Sequence, residues 1–149
     1  MLNPIDATPR AISRATTLAT VTTAAGAVNT NSSGVRIPEW EHGVVFTLDV
    51  TAAATDAGDT LDVTVQSLVD GTNWLDILHF TQILGNGGAL RFSRKILASS
   101  AEATDINHAT ALAAGDERHF LGDAYRVKYV QADVNVNAAF TFSVSALAM

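Results

Sequence analysis

The sequence contains no cysteine, only three prolines among its 149 residues, and few aromatic side chains (7%). Without cysteine the chain can form neither a disulfide framework nor a cysteine zinc site, and it has no thiolate nucleophile. No apolar run approaches the roughly 18 residues of a membrane-spanning helix, and the N-terminus lacks the basic and apolar regions of a signal peptide. We therefore expect a protein that is synthesised in the cytoplasm and does not enter a membrane.

Basic residues are also scarce. The chain has nine lysines and arginines against fifteen aspartates and glutamates, which gives a formal net charge of −6. Basic side chains cluster only at residues 91–95, whereas a nucleic-acid-binding protein normally carries an extended basic face. We expect no nucleic-acid partner. Arg10, Arg14 and Arg36 could instead contact an acidic protein surface.

Small and polar residues dominate residues 1–36, where Pro4 and Pro9 stand near the start. Alanine, threonine, serine and asparagine bury little area each, so this segment gains little from ordering by itself. Two interpretations stay open: a frayed terminus plus one edge strand, or an extended N-terminal arm that orders against a neighbouring subunit. Residues 37–149 are predicted to form a single domain, which the length of the chain allows to bury a real core.

Residues 60–83 carry the clearest structural pattern. Apolar and polar side chains alternate from Leu61 to Val65, the period of two that is typical of a half-buried strand. Turn-forming residues at Asp70-Gly71-Thr72-Asn73 separate this strand from residues 74–83, which are apolar on both faces. We predict a β-hairpin that anchors the core of the protein.

The same alternation recurs at residues 44–50, 90–96, 125–129 and 140–146, with turn-forming residues between them. We predict that the last two strands pair as an antiparallel hairpin, and that residues 99–118 form a loop with at most one or two helical turns. The chain should therefore form an antiparallel β-sandwich of seven to eight strands, of jelly-roll or immunoglobulin-like type. The predicted core residues are Val44, Phe46, Leu48, Leu61, Val63, Val65, Trp74, Phe80, Phe92, Tyr125, Val127, Phe140, Phe142 and Val144.

Four histidines, His42, His79, His108 and His119, are the candidates for a general base or an imidazole ligand. No two of them have the His-x-x-x-His spacing, and the Glu-x-x-His match at residues 39–42 follows a proline outside any helical pattern. His79 lies in a predicted strand, where a structural hydrogen-bonding role is expected. The serines lack the Gly-x-Ser-x-Gly pattern of a nucleophile elbow. We therefore predict that the protein is not an enzyme.

Aspartates at positions 56, 59 and 62, together with Asp70 across the hairpin, could approach a calcium ion, which needs six to eight oxygen ligands. Residues 133–137 begin like a calcium-binding loop, but alanine stands at the position where that loop requires glycine. Solvated turn residues are the simpler interpretation. We accordingly predict no metal site and no cofactor.

Two further features invite a ligand but have a simpler explanation. The glycine-rich residues 85–88 join two predicted strands and do not open a helix, so they lack the dipole that would attract a phosphate. Trp40 and Trp74 could stack on sugars, but Trp74 follows a turn directly into a strand and is predicted to fill the core of the sandwich.

The run from Asp62 to Gly88 resembles a segment of small structural proteins of tailed bacteriophages. Its most distinctive parts are Asp70-Gly71-Thr72-Asn73-Trp74 and His79-Phe80-Thr81-Gln82. The likeness covers roughly residues 43–97 and 124–146 and leaves out the N-terminal segment. The resemblance implies a component of the virion.

Two classes of function follow from this resemblance. In the first, the protein is a capsid decoration (cement) protein that binds the major capsid protein or other virion proteins and assembles as a homo-oligomer, such as a trimer. In the second, it is a tail or fibre component or a carbohydrate-binding sandwich. A sugar-binding module should expose a row of aromatic side chains, whereas the aromatic residues here occupy core-facing positions. This difference favours the first class.

Overall fold

The computed structural model describes residues 15–37, 42–99 and 105–149, and within these ranges the chain forms ten β-strands and no helix. The strands are β1 Thr16–Thr22, β2 Val28–Asn31, β3 Val35–Arg36, β4 Gly43–Ala52, β5 Thr60–Leu68, β6 Trp74–His79, β7 Ile83–Leu84, β8 Leu90–Leu97, β9 Ala124–Ala132 and β10 Thr141–Ala148. It follows that this described part contains no helix long and apolar enough to cross a membrane.

Two antiparallel sheets make up the fold. The four-stranded sheet has the order β1-β10-β4-β8, and the six-stranded sheet has the order β2-β9-β5-β6, with β3 paired to β9 and β7 paired to β5. The prediction of an antiparallel, sandwich-like all-β architecture is confirmed at this level. Its strand count is higher than predicted because β2, β3 and β7 are only two to four residues long, too short to show an alternating pattern in the sequence.

Apolar side chains from the two sheets meet between them. Phe46 of β4 packs edge-to-face against Tyr125 of β9, with 5.2 Å between ring centroids, and Phe142 of β10 does the same against Tyr129 of β9 at 5.5 Å. Such pairs add about 0.5–1.5 kcal/mol beyond the area they bury. The predicted core residues are buried, with Phe92 and Trp74 as the exceptions.

Phe92 is half-buried, contrary to the prediction. It lies on β8, an edge strand that pairs only with β4, and its side chain packs against the margin of the core. An alternating pattern identifies the face of a strand but not its position in the sheet, so the sequence did not distinguish a central strand from an edge strand.

The predicted hairpin between residues 125–129 and 140–146 does not form. β9 belongs to the six-stranded sheet and β10 to the four-stranded sheet, so residues 133–140 carry the chain from one sheet to the other. Most hairpin loops have two to five residues, and this longer connection suits a crossing between layers. The hairpin between β5 and β6 does form, with its turn at residues 70–73.

The segment before the central strands is part of both sheets. β1 pairs with β10, and β2 and β3 both pair with β9. Residues 16–36 therefore belong to the sandwich as edge strands of this chain. The predicted arm spans residues 1–36, and residues 1–14 of it lie outside the described residues.

Four connections share one end of the sandwich, which we call the loop end: residues 23–27, 53–59, 85–89 and 133–140. The strand register defines this end, since Thr22 of β1 pairs with Thr141 at the start of β10. β1 begins at the opposite end, where Thr16 pairs with Ala146. The 70–73 turn is also at that opposite end, because β5 begins at the loop end and runs away from it.

Candidate functional site

The large apolar side chains that the described residues expose are gathered at the loop end. They are Leu84 (53% exposed), Leu90 (36%), Val134 (60%) and Val136 (74%). Leu84 and Leu90 flank the 85–89 turn, and the two valines belong to the 133–140 connection. Clustered exposed apolar side chains mark contact surfaces, whereas isolated ones do not. The loop end is therefore the candidate functional site.

Asp133 organises the connection that carries the two valines. Its Oδ1 accepts a hydrogen bond from the Asn135 N–H at 2.9 Å, and its Oδ2 accepts from the N–H groups of Gly26 and Ala138, each at 2.8 Å. Burial by itself raises the pKa of this carboxyl, but the N–H groups of Ala138, Asn135, Gly26 and Asn137 outweigh it and lower the pKa to about 2. The charged carboxylate thus holds the loop in one conformation.

Two further aspartates tie this loop to the neighbouring 53–59 connection. Asp56 Oδ2 accepts hydrogen bonds from the side-chain amides of Asn135 at 2.8 Å and Asn137 at 3.1 Å, and these bonds lower the pKa of Asp56. Asp59 Oδ1 accepts from the Val134 N–H at 3.0 Å. Both loops are therefore fixed relative to each other.

Gln131, near the end of β9, joins connections of the loop end through hydrogen bonds of its buried amide. Its side chain is almost fully buried (2% exposed), and its Nε2 donates to the carbonyls of Ala24 at 2.9 Å and Gly26 at 2.7 Å. Its Oε1 accepts from the Thr23 hydroxyl, which in turn accepts from the Phe140 N–H. One buried amide thereby connects the 23–27 and 133–140 connections to β9.

Val136 adopts a backbone conformation that β-branched residues rarely take. Its φ of 59° lies in the left-handed region, which costs an L-residue about 1–2 kcal/mol. The hydrogen bonds of Asp133 and Asp56 to the flanking residues maintain this conformation. Strain of this kind is kept where the surrounding structure over-determines it, often at sites of contact. The result is a fixed loop that presents an apolar side chain to solvent.

The four aspartates considered as calcium ligands do not come together. Asp56 and Asp59 lie at the loop end, whereas Asp62 lies within β5, where it is bonded to His79 and Gln82. Asp70 caps the turn at the opposite end of the sandwich. Over the ranges that the structure describes, no group of three or more His, Asp or Glu residues could hold a metal ion.

Two of the four histidines are held in structural hydrogen bonds. The ring nitrogens of His79 lie 2.8 Å from a backbone carbonyl of the 105–123 segment and 3.1 Å from Asp62 Oδ1. His119 accepts from a β8 N–H through Nδ1 and lies 3.2 Å from Glu117 through Nε2. Neither ring has a nitrogen left to activate a nucleophile. The other two histidines, His42 and His108, are exposed.

Trp74 does not fill the core, contrary to the prediction. In β6 the buried neighbour Leu75 faces inward, so Trp74 lies on the outer face of the six-stranded sheet and is half-buried. The Arg126 guanidinium stacks over its ring, 4.6 Å from the centroid, and a side chain at Gly34 would come within 2.8 Å of the far edge of the indole. Trp40 lies outside the described residues.

Trp74→Ala is expected to lower the free energy of unfolding by about 1–2 kcal/mol, because half burial and one cation–π contact are lost. Gly34→Ala should also lower the free energy of unfolding, because the added methyl group would displace the indole. In the Trp74→Ala background, where the indole is absent, the same substitution should lower it little. Chemical denaturation of the two single variants and the double variant measures this coupling. Additive effects would contradict the contact.

The Asp133 carboxyl should give the protein an acid-sensitive component of stability. Its folded-state pKa of about 2 lies below the value near 3.9 of an unfolded chain. Its contribution is therefore complete above about pH 4 and is lost as the pH falls through about 2. The melting temperature of the wild type should fall more steeply than that of Asp133→Asn between these pH values. Parallel curves for the two proteins would contradict this role.

Gln131 and Val136 are the loop-end residues that sequence reasoning missed. Tyr125, Val127 and Tyr129 occupy the inward positions of β9, and the same alternation places Gln131 at the next inward position. A glutamine at such a position indicates a buried hydrogen-bonding group. No such signal exists for Val136, because its conformation is imposed by side chains from other connections.

Comparison with known proteins gives no match. No protein-family model matches the chain, and neither a curated protein nor a solved structure matches it.

Proposed function

We propose that the protein is a structural component of a tailed-bacteriophage particle, namely a capsid decoration protein that binds the head and stabilises it by protein–protein contacts. The observation that carries this proposal is the loop end, where the exposed apolar side chains of Leu84, Leu90, Val134 and Val136 stand on a fixed framework. Surfaces fixed before binding lose less conformational entropy when a partner docks. The resemblance of residues 62–88 to phage structural proteins is the reason for proposing a phage particle as the partner.

A non-catalytic role accords with the hydrogen bonds of the site. The carboxylates of Asp56 and Asp133 each accept bonds that shape a loop, and Asp59 does the same for the Val134 N–H. General acid–base catalysis needs a group within reach of a substrate proton, whereas Asp56 Oδ2, Asp59 Oδ1 and both oxygens of Asp133 bind groups of the protein itself, and Asp59 is fully buried.

The oligomeric state and the fold type form part of the same proposal. A cyclic homo-oligomer, with a trimer as the simplest arrangement on a capsid, would bring several weak contacts to the particle at once and strengthen them together. The two sheets would belong to the jelly-roll or immunoglobulin-like kind of sandwich. The location would be the virion, after synthesis in the host cytoplasm.

The test adds purified protein to phage heads that lack it and measures occupancy and the temperature at which the heads open. Val134→Asp places a charge among the exposed apolar side chains and should lower the occupancy about tenfold or more. Thr72→Asp, at the opposite end of the sandwich, is the matched control and should bind as the wild type does. Equal binding by both variants would reject the loop end, and no binding by the wild type would reject the decoration function.

A tail or carbohydrate-binding role is the second candidate, and one observation favours it. Trp74 is half-exposed on a polar face beside Arg126, Gln66 and Asp76, and Trp side chains stack on sugars. Titration calorimetry with host surface oligosaccharides would detect such binding, and Trp74→Ala should abolish it. Imaging of virions would place the protein on the head or the tail.

A further inference from the structure

We propose that the loop end of one copy binds residues 1–14 of a neighbouring copy. This inference rests on the proposed function, because it names a partner for the same surface. It concerns the contact between copies, and so it can be tested in solution without any phage particle.

The first argument is chemical complementarity. Residues 1–14 contain the apolar side chains of Leu2, Ile5 and Ile12, and two arginines against one aspartate, Asp6, so the segment is positively charged. The four connections of the loop end contain no lysine or arginine, and the large apolar side chains described above lie in them or directly beside them. Of their three aspartates Asp59 is fully buried, so the half-buried Asp56 and Asp133 supply the negative charge of this surface. An apolar segment with positive charge therefore fits an apolar surface with negative charge.

The second argument is the direction of the chain. β1 begins at Thr16, at the end of the sandwich opposite the loop end, and reaches the loop end only at Thr22. A segment that returned to its own loop end would have to retrace β1, about 20 Å at roughly 3.3 Å per residue. That path would use about seven residues, including Arg10, Ile12 and Arg14. On a neighbouring copy all of these side chains are available for contact.

The arrangement that follows is head-to-tail. The surface contributed by one copy differs from the surface contributed by the next, so the interface is heterologous, and a rotation that closes makes a ring such as a trimer. The contact joins a segment of low ordering tendency to a surface that is already fixed, so the segment carries most of the entropic cost of binding.

The absence of cysteine makes a direct test possible. Ile5→Cys and Val136→Cys are prepared as separate full-length proteins, mixed in equal amounts and oxidised. The proposal predicts a disulfide between the two variants, identified by mass spectrometry, and no comparable product when Thr72→Cys replaces Val136→Cys. Equal yields with both partners would overturn it. If a single chain carrying both cysteines links only within itself at low concentration, the segment binds its own loop end, and the proposal is wrong.

A second test uses complementation between defective chains. Val136→Asn removes the apolar side chain yet suits a positive φ, so its melting temperature should not fall. Ile5→Asp disables the segment. In analytical ultracentrifugation the wild type should associate, and each variant alone should associate at least about tenfold more weakly. Their equimolar mixture should recover a dimer, because the intact segment of one variant can still bind the intact loop end of the other.

The outcomes separate this inference from the proposed function. A mixture that stays monomeric, or variants that associate as the wild type does, would overturn the contact between copies even if the protein binds phage heads. Recovery of the dimer by the mixture, combined with no binding of the wild type to heads, would support the contact and reject the decoration function.

Discussion

Gln131→Leu should lower the free energy of unfolding by about 2–4 kcal/mol, although leucine is close to glutamine in size. The substitution leaves the Thr23 hydroxyl and the carbonyl of Ala138 without their partner in the interior, and each buried unpaired polar group costs about 1–3 kcal/mol. The carbonyls of Ala24 and Gly26 also lose a donor, but these lie closer to solvent and can bind water.

Gln66→Leu is the matched control for this prediction. It makes the same change in the same sheet but on the outer face, where the partners of Gln66 are the half-buried side chains of Asp76 and Arg126. Both can turn toward water, so the loss should be about 1 kcal/mol or less. Urea denaturation of both variants measures the difference. Equal losses would show that Gln131 does not have a special supporting role.

Gln131→Leu should also change the loop end itself. Amide hydrogen exchange at Gly26 and Ala138, whose N–H groups are bonded to Asp133, should become faster, since the two connections lose their shared anchor. Unchanged exchange together with lowered global stability would mean that Asp133 alone holds these loops. In that case binding to a partner should survive the substitution.

Periodicity identified most of the strands because it depends only on which face of a strand is buried. Phe46, Leu48 and Val50 alternate with Thr47 and Asp49 in β4, and the same logic holds for Phe140, Phe142 and Val144. For β6, whose sequence is apolar on both faces, Trp74 was assigned to the inside because it follows the turn directly into the strand. The neighbouring Leu75 was the better guide: adjacent residues of a strand point to opposite faces, so a buried Leu75 places Trp74 on the outer face.

Pairing between strands was harder to predict than the strands themselves. A turn-rich connection can fold back within a sheet or cross to the other sheet, and both use glycine, asparagine and aspartate. Asp133 and Asn135 were correctly recognised as turn formers, but their partners Gly26 and Asp56 come from connections distant in sequence. The fixed conformation of the loop end is therefore a tertiary property, which no local pattern encodes.

Gly85→Ala should be the most damaging small substitution at the loop end. A Cβ atom at this position would lie 1.8 Å from the backbone oxygen of Asp56 and 3.2 Å from Cβ of Asp59. The two connections cannot simply separate, because the Gly85 N–H donates to the Asp59 carbonyl at 2.8 Å and the Asn86 N–H donates to Ala54. We expect a loss of about 3 kcal/mol, at the upper end of the usual cost of overpacking.

Gly88→Ala separates this steric effect from backbone strain in the same turn. Gly88 has a φ of 71°, and a Cβ atom at this position would meet no other atom within 4 Å, so the variant should lose only about 1 kcal/mol, through conformation alone. Thermal and urea denaturation give both values. Gly85→Ala should in addition displace Asp56 and shift the NMR signals of the Asn135 and Asn137 side-chain amides that it binds. Equal losses in the two variants, with those signals unmoved, would contradict the close contact at Gly85 on which the fixed geometry of the loop end depends.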